Sequence, residues 1–236
     1  KPVICAPCRS PVWVLTPLTS GNSTMTMQFL SDNAAAVHPA VWAAMRAIDA
    51  PDSPYDGDAI SRELDAVFSN VFGKECTALW VATGTAANCL ALSAIVPPHG
   101  AVVCHREAHI EVDEGGAPGF FLHGAKLLLA DGPSAKLTPY SIAAVVDPIR
   151  DDVHQVQAHA VSITQASEYG CVYRSKELAG ISFYAKERGL RLHMDGARFA
   201  NAVAHLSCSP AEAALGVDAL SFGFVKNGGL GAEAIV

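Results

Sequence analysis

Two apolar runs that stop abruptly at a charge constrain the fold more than any other feature of the chain. Leu190–Met194 ends at Asp195, and Ala219–Val225 ends at Lys226. An apolar run bounded by turn-forming residues reads as a strand buried on both faces. In open parallel sheets the functional groups gather at the carboxyl ends of such strands. Asp195 and Lys226 are therefore the leading candidates for chemistry. Asp195-Gly-Ala-Arg198 sets a carboxylate and a guanidinium three residues apart, and Lys226 lies among Gly223, Gly228, Gly229 and Gly231. Glycines allow a backbone to approach a ligand closely.

The rest of the chain alternates strand and helix. FLSDN reads as a short strand and turn, and Pro39 opens a helix with Val41, Ala44, Met45 and Ile48 on one face. After the polar loop DAPDSPYDGD, Asp58 caps a second helix. Its predicted apolar stripe is Ile60, Leu64, Val67, Phe68 and Val71, and Gly73 ends it. ALWVA (78–82) reads as the first central strand, running into the helix TGTAANCLALSAIV. Further strands are predicted at 101–104, 126–130 and 158–163, then LRLHM and DALSF. Helices are predicted after Thr138-Pro139, at 175–188 and at 197–205. This alternation implies an α/β fold with a mostly parallel sheet covered on both faces. Residues 1–26, with four prolines and no periodicity, read as a poorly ordered extension ahead of a domain at 27–236.

Composition narrows the partners. A net charge of −7 without a basic cluster argues against nucleic acid, and no apolar run approaches membrane-spanning length. Seven scattered cysteines suggest reduced thiols in the cytoplasm rather than a disulfide frame. Cys5-x-x-Cys8 has no second ligand pair nearby, so no metal is assigned. No G-x-G-x-x-G follows the first strand, which disfavours a dinucleotide-binding domain.

MDGARFANA, followed by the lysine of FVKNGG, resembles pyridoxal 5′-phosphate (PLP) enzymes of the aspartate-aminotransferase fold (fold type I). More narrowly it resembles the L-threonine aldolase and β-eliminating lyase family, from about Gln28 to Val236. The resemblance implies cleavage of L-threonine, L-allo-threonine or a related β-hydroxy-α-amino acid to glycine and an aldehyde. The alternatives are another PLP-dependent β-eliminating lyase or aminotransferase, or an inactive fragment. Members continue into a small C-terminal domain that is missing here, so 27–236 is expected to be a truncated PLP-binding large domain.

The roles follow from the same resemblance. Lys226 would bond the PLP aldehyde, Asp195 would pair with the pyridine nitrogen, and Gly84 with Thr85 would hold the phosphate at a helix start after Thr83. Arg198 would bind the substrate carboxylate, with Ser31 beside it, although Leu30 stands where the family has arginine. His109 would stack on the ring, and His109 or His154 would act as base. Asp113 departs from a family aromatic residue, and Thr164-Gln165 replaces a Glu-Asn pair, with Gln165 expected near the PLP 3′-oxygen. A homodimer or homotetramer is implied, in which Tyr55 or Asp56 could reach a neighbour's site.

Overall fold

A computed structural model describes residues 3–4, 11–12 and 30–236. The chain forms two compact units, Lys1–Asp32 and Asn33–Val236. In the first, β1 (Val3–Ile4) pairs antiparallel with β2 (Pro11–Val12). The expected disorder of 1–26 otherwise lies outside the described residues.

The second unit holds a seven-stranded sheet flanked by helices. Its strands are β3 (Leu79–Val81), β4 (Gly100–His105), β5 (Lys126–Ala130), β6 (Gln157–Thr164), β7 (Arg191–Gly196), β8 (Ala219–Gly223) and β9 (Glu233–Ile235). The spatial order is β3-β9-β8-β7-β6-β4-β5. β5, β4, β6, β7 and β8 pair in parallel, and β9 runs antiparallel to both β8 and β3. Period-two side-chain alternation divides the core between the sheet's faces. Val103 packs with Val161, Ile163, Leu192 and Met194, whereas Val102 and Cys104 pack with Leu92, Ile110 and Ala160. Each such fully buried Leu, Ile, Val or Met side chain contributes about 1.5–3 kcal/mol.

The helices are α1 (Pro39–Ala47), α2 (Ala59–Arg62), α3 (Leu64–Phe72), α4 (Gly84–Ser93), α5 (His109–Val112), α6 (Ala117–Phe121), α7 (Pro139–Val146), α8 (Ser175–Glu187), α9 (Phe199–Leu206) and α10 (Pro210–Ala213). Several sequence expectations need correction. The segment around LSDN is a bend followed by a 3₁₀ turn at Asp32–Ala34, and Phe29 lies outside the described residues. The helix capped by Asp58 breaks at Glu63 into α2 and α3. Its buried residues are Phe68 and Phe72, while Ile60, Val67 and Val71 are exposed. Phe72 lies four residues after Phe68, so the true stripe is one helical ridge of aromatic rings facing Phe199 and Phe222.

β3 lies at the sheet edge rather than its centre, with Leu79 and Trp80 half exposed. Glu233–Ile235 form a further strand, β9, beyond the strands expected from the sequence. β9 inserts between β3 and β8, with Ala234 paired to Trp80 on one side and Phe222 on the other. Three residues carry too little periodicity to announce a strand. Two flanking partners supply the ladder that makes it one.

Candidate active site

The carboxyl ends of β6, β7 and β8 lie in register, with Thr164 paired to Asp195 and Asp195 to Ser221. Beyond β8 the chain turns through a 3₁₀ segment, Val225–Asn227, that carries Lys226. Two glycines allow these ends to close up. A Cβ at Gly196 would lie 2.6 Å from the Ser221 carbonyl oxygen, and one at Gly223 would lie 2.5 Å from that of Ala197. Both obstacles are backbone, which cannot swing aside as a side chain does. Asn227 then ties the turns together, its Nδ2 donating to Ala197 O (3.0 Å) and Gly223 O (2.8 Å). Glu233 Oε2 accepts from Phe224 N (2.7 Å) and anchors the start of the Lys226 turn. Burial raises the Glu233 carboxyl above its ordinary range.

The cleft so formed has a volume of about 180 Å³. Gly84, Thr85, His109, Asp195, Arg198 and Lys226 all line it. Gly84 and Thr85 begin α4, with Thr83 as its cap, the Thr83 Oγ1 accepting from Ala86 N at 3.1 Å. A Cβ built on Gly84 would meet nothing within 4 Å, so the space beside this helix start is open. Backbone N–H groups and the helix dipole favour an anion there.

Asp195 is 4% exposed, its Oδ2 accepting from Asn88 Nδ2 (2.8 Å) and its Oδ1 from Ala197 N (3.0 Å). Among the described residues it makes no salt bridge. A buried carboxylate satisfied only by neutral N–H groups is suited to a cationic partner. His109 lies across the cleft network, its Nδ1 3.0 Å from Glu114 Oε1. That hydrogen bond raises the imidazole above its ordinary value, against burial and the Lys226 charge and with help from Asp195. Glu114 is buried, and its Oε1 also accepts from Asn88 Nδ2 (2.8 Å). His109, Glu114 and Asp195 offer atoms within 4.8 Å of one another. The Asn88 amide already donates to both carboxylates, so the cluster is not assigned to a metal.

Two predicted residues are not brought to the cleft. Gln165 is fully buried and spends its amide on the backbone of Tyr173, donating to Tyr173 O (3.0 Å) and accepting from Tyr173 N (2.8 Å). It pins the loop after β6, and its neighbour Thr164 lines the cleft instead, donating to Glu168 Oε1 (2.8 Å). His154 is exposed in the turn that precedes β6. Thr164 sits at the other end of that strand, roughly 20 Å away at about 3.3 Å per residue. Within one chain His154 therefore faces away from the chemistry. Ser31 is an exposed residue of the first unit, Lys1–Asp32.

Asn88, Glu114, Glu168 and Glu233 were missed. A polar Asn88 inside the apolar run ANCLAL was the one visible signal, since a buried amide needs partners.

Below Asp195 on β7, His193 is completely buried between Ser162 Oγ (2.9 Å from Nδ1) and Ser221 Oγ (3.2 Å from Nε2). Desolvation pushes it down from 6.5 to about 4, against the opposing pull of Asp195. The folded state holds this ring neutral while an unfolded chain protonates it below 6.5. The unfolded state thus binds the extra proton, and stability is expected to fall as pH drops from 6.5 toward 4, by about 2–3 kcal/mol. Urea unfolding at pH 7 and pH 4.5 should show a smaller acid loss for His193→Gln than for the native chain. Equal losses would refute the assignment.

The family model for beta-eliminating lyases matches residues 28–236. The chain belongs to the beta-eliminating lyase family. Family members use PLP. The chain is 46% identical over 214 residues to a low specificity L-threonine aldolase of Pseudomonas aeruginosa, covering 89% of this chain and 62% of that protein. It is 29% identical over 187 residues to an alanine racemase of Cochliobolus carbonum, covering 78% and 47% respectively. A solved threonine aldolase from Leishmania major superposes with a TM-score of 0.79 at 28% identity, over 86% of this chain and 60% of that one. The chain thus spans about three fifths of the length of these two aldolases. The fold is that of the PLP-dependent type I enzymes.

Proposed function

We propose that the protein is a PLP-dependent aldolase that cleaves L-threonine, L-allo-threonine or a related β-hydroxy-α-amino acid to glycine and an aldehyde. Residues 27–236 serve as its cofactor-binding large domain. The observation that carries this reading is the convergence of Lys226, Asp195, His109, Arg198 and the open start of α4 on one cleft. The residues fit the cofactor: a buried carboxylate that makes no salt bridge among the described residues suits a protonated pyridine nitrogen, and Gly84 leaves room for a phosphate.

When bound, PLP supplies an electron sink for a bond broken at the substrate Cα. Lys226 provides the amine that holds the cofactor aldehyde. Asp195 keeps the proton on the pyridine nitrogen. Arg198, at the start of α9, offers a planar fork that matches the substrate carboxylate and fixes its orientation. His109 takes the proton from the β-hydroxyl as the Cα–Cβ bond opens. Its proximity to Lys226 and Asp195 supports that role over His154 within one chain.

The substrate class is an amino acid. A homodimer or homotetramer is supported by α1, which buries none of its residues and exposes Trp42 and Met45, with Ile48 exposed just beyond its end. A cytoplasmic location is supported by the free thiols of Cys76, Cys89, Cys104, Cys171 and Cys208. Among the described residues no helix is long and apolar enough to cross a membrane.

Incubating the whole protein with PLP and L-threonine should release acetaldehyde and glycine in equal amounts. Formation of 2-oxobutyrate, or a need for an amino-group acceptor, would replace this reading with elimination or transamination.

A further inference from the structure

The hydrogen bonds around Glu114 form a continuous path. His109 Nδ1 meets Glu114 Oε1 at 3.0 Å, Asn88 Nδ2 donates to that oxygen at 2.8 Å, and the same nitrogen donates to Asp195 Oδ2 at 2.8 Å. The Glu114 side chain is completely buried, and its Oε2 and the Oδ1 of Asn88 have no hydrogen-bond partner among the described residues. The bonded oxygen of this buried acid thus faces the imidazole and the Asn88 amide together. We propose that Glu114 is the positioning residue for His109, holding the ring with its proton on Nδ1 and leaving Nε2 for proton transfer, and that Asn88 couples this unit to Asp195.

Two helices and the segment after the second build the arrangement. Asn88 comes from the middle of α4, His109 begins α5, and Glu114 follows α5 by two residues. His109 is held at its main chain as well, its N donating to Glu168 Oε1 at 3.0 Å. The charges facing the imidazole are Glu114 and Asp195, which favour its cation, and Lys226, which opposes it. An ionised carboxylate accepts only, so a neutral imidazole bonded to it must present N–H at Nδ1. The remaining nitrogen, Nε2, is then an acceptor, as a base requires. Asn88 has two amide hydrogens and gives them to two buried carboxylates, which keeps both groups in place.

The catalytic consequence rests on the aldolase reading, whereas the hydrogen-bonded unit does not, and the test separates them by using the protein without cofactor or substrate. ¹⁵N-histidine NMR, with His109 assigned by comparison with His109→Asn, reads both tautomer and titration. Above its midpoint the native His109 should show the Nδ1–H tautomer. In Glu114→Gln, which keeps the side-chain shape and removes its charge, the midpoint should move down. An Nε2–H tautomer in the native protein, or an unmoved midpoint in a folded Glu114→Gln variant, would overturn the proposal. If the variant does not fold, the native tautomer alone decides. A native Nδ1–H tautomer in a protein that fails to cleave threonine would reject the aldolase reading and retain the positioning role.

Discussion

Lys226→Ala is expected to lower threonine cleavage on the order of 10⁴-fold, with little change in stability. The side chain is half-buried at the rim of a turn whose shape is set by Asn227 and Glu233, not by the lysine itself. Losing it removes the amine and leaves the scaffold, so urea unfolding should shift by no more than about 0.5 kcal/mol. Lys226→Arg sharpens the test. Arginine restores the positive charge but cannot surrender its proton to become a nucleophile. Both variants should be equally inactive in an acetaldehyde assay. Recovery of activity in the arginine variant would mean that residue 226 acts only through charge, and the cofactor assignment would fail with it.

Asp195→Asn should produce the second-largest effect, and on two observables. The carboxylate accepts Asn88 Nδ2 on one oxygen and Ala197 N on the other. An amide has a single oxygen, so whichever way it turns its NH₂ confronts a donor. One buried hydrogen bond is lost, at a cost of about 1–3 kcal/mol in stability. On the proposed reading, the negative charge that would hold a protonated pyridine nitrogen is lost too, and turnover should fall on the order of 10²–10³-fold, the scale of removing one preorganised electrostatic contact. A variant as stable and as active as the native enzyme would show that Asp195 is merely the cap of the Ala197 turn.

The two effects separate scaffold from chemistry because the site is built on strand ends. β7 and β8 are locked by ladders and by the core below them, so Asp195 and Lys226 are presented by elements that need neither charge to form. The backbone contacts at Gly196 and Gly223 explain why those positions carry no side chain.

Much of this was legible beforehand. The long parallel strands were found because burial on both faces makes an apolar run, and the breaks after two of those runs fall at Asp195 and Lys226, which both line the cleft. Asp58 caps the helix it was expected to cap, because a side-chain oxygen three residues before a helical N–H is a local relation, and Thr83 and Thr138 cap α4 and α7 in the same way. The failures were non-local. Gln165 stands beside Thr164 in sequence, yet it lies just past the end of β6, where the backbone of Tyr173, eight residues on, takes both ends of its amide. His154 precedes β6 rather than following it, which places it at the amino end of the sheet. β9 and the edge position of β3 depend on which strands pair, and no single segment records that.

By itself, then, the chain determined the five parallel strands and the longer helices, where the apolar runs break, and that a lysine, an aspartate and an arginine stand at or just past those breaks. Those properties depend on neighbours within a few residues. The tertiary structure alone decided that Asn88 and Glu114, brought from α4 and from beyond α5, join His109 to Asp195. Hydrogen bonds among buried polar groups are selected by the position of three separate elements, and a linear pattern holds no measure of that distance.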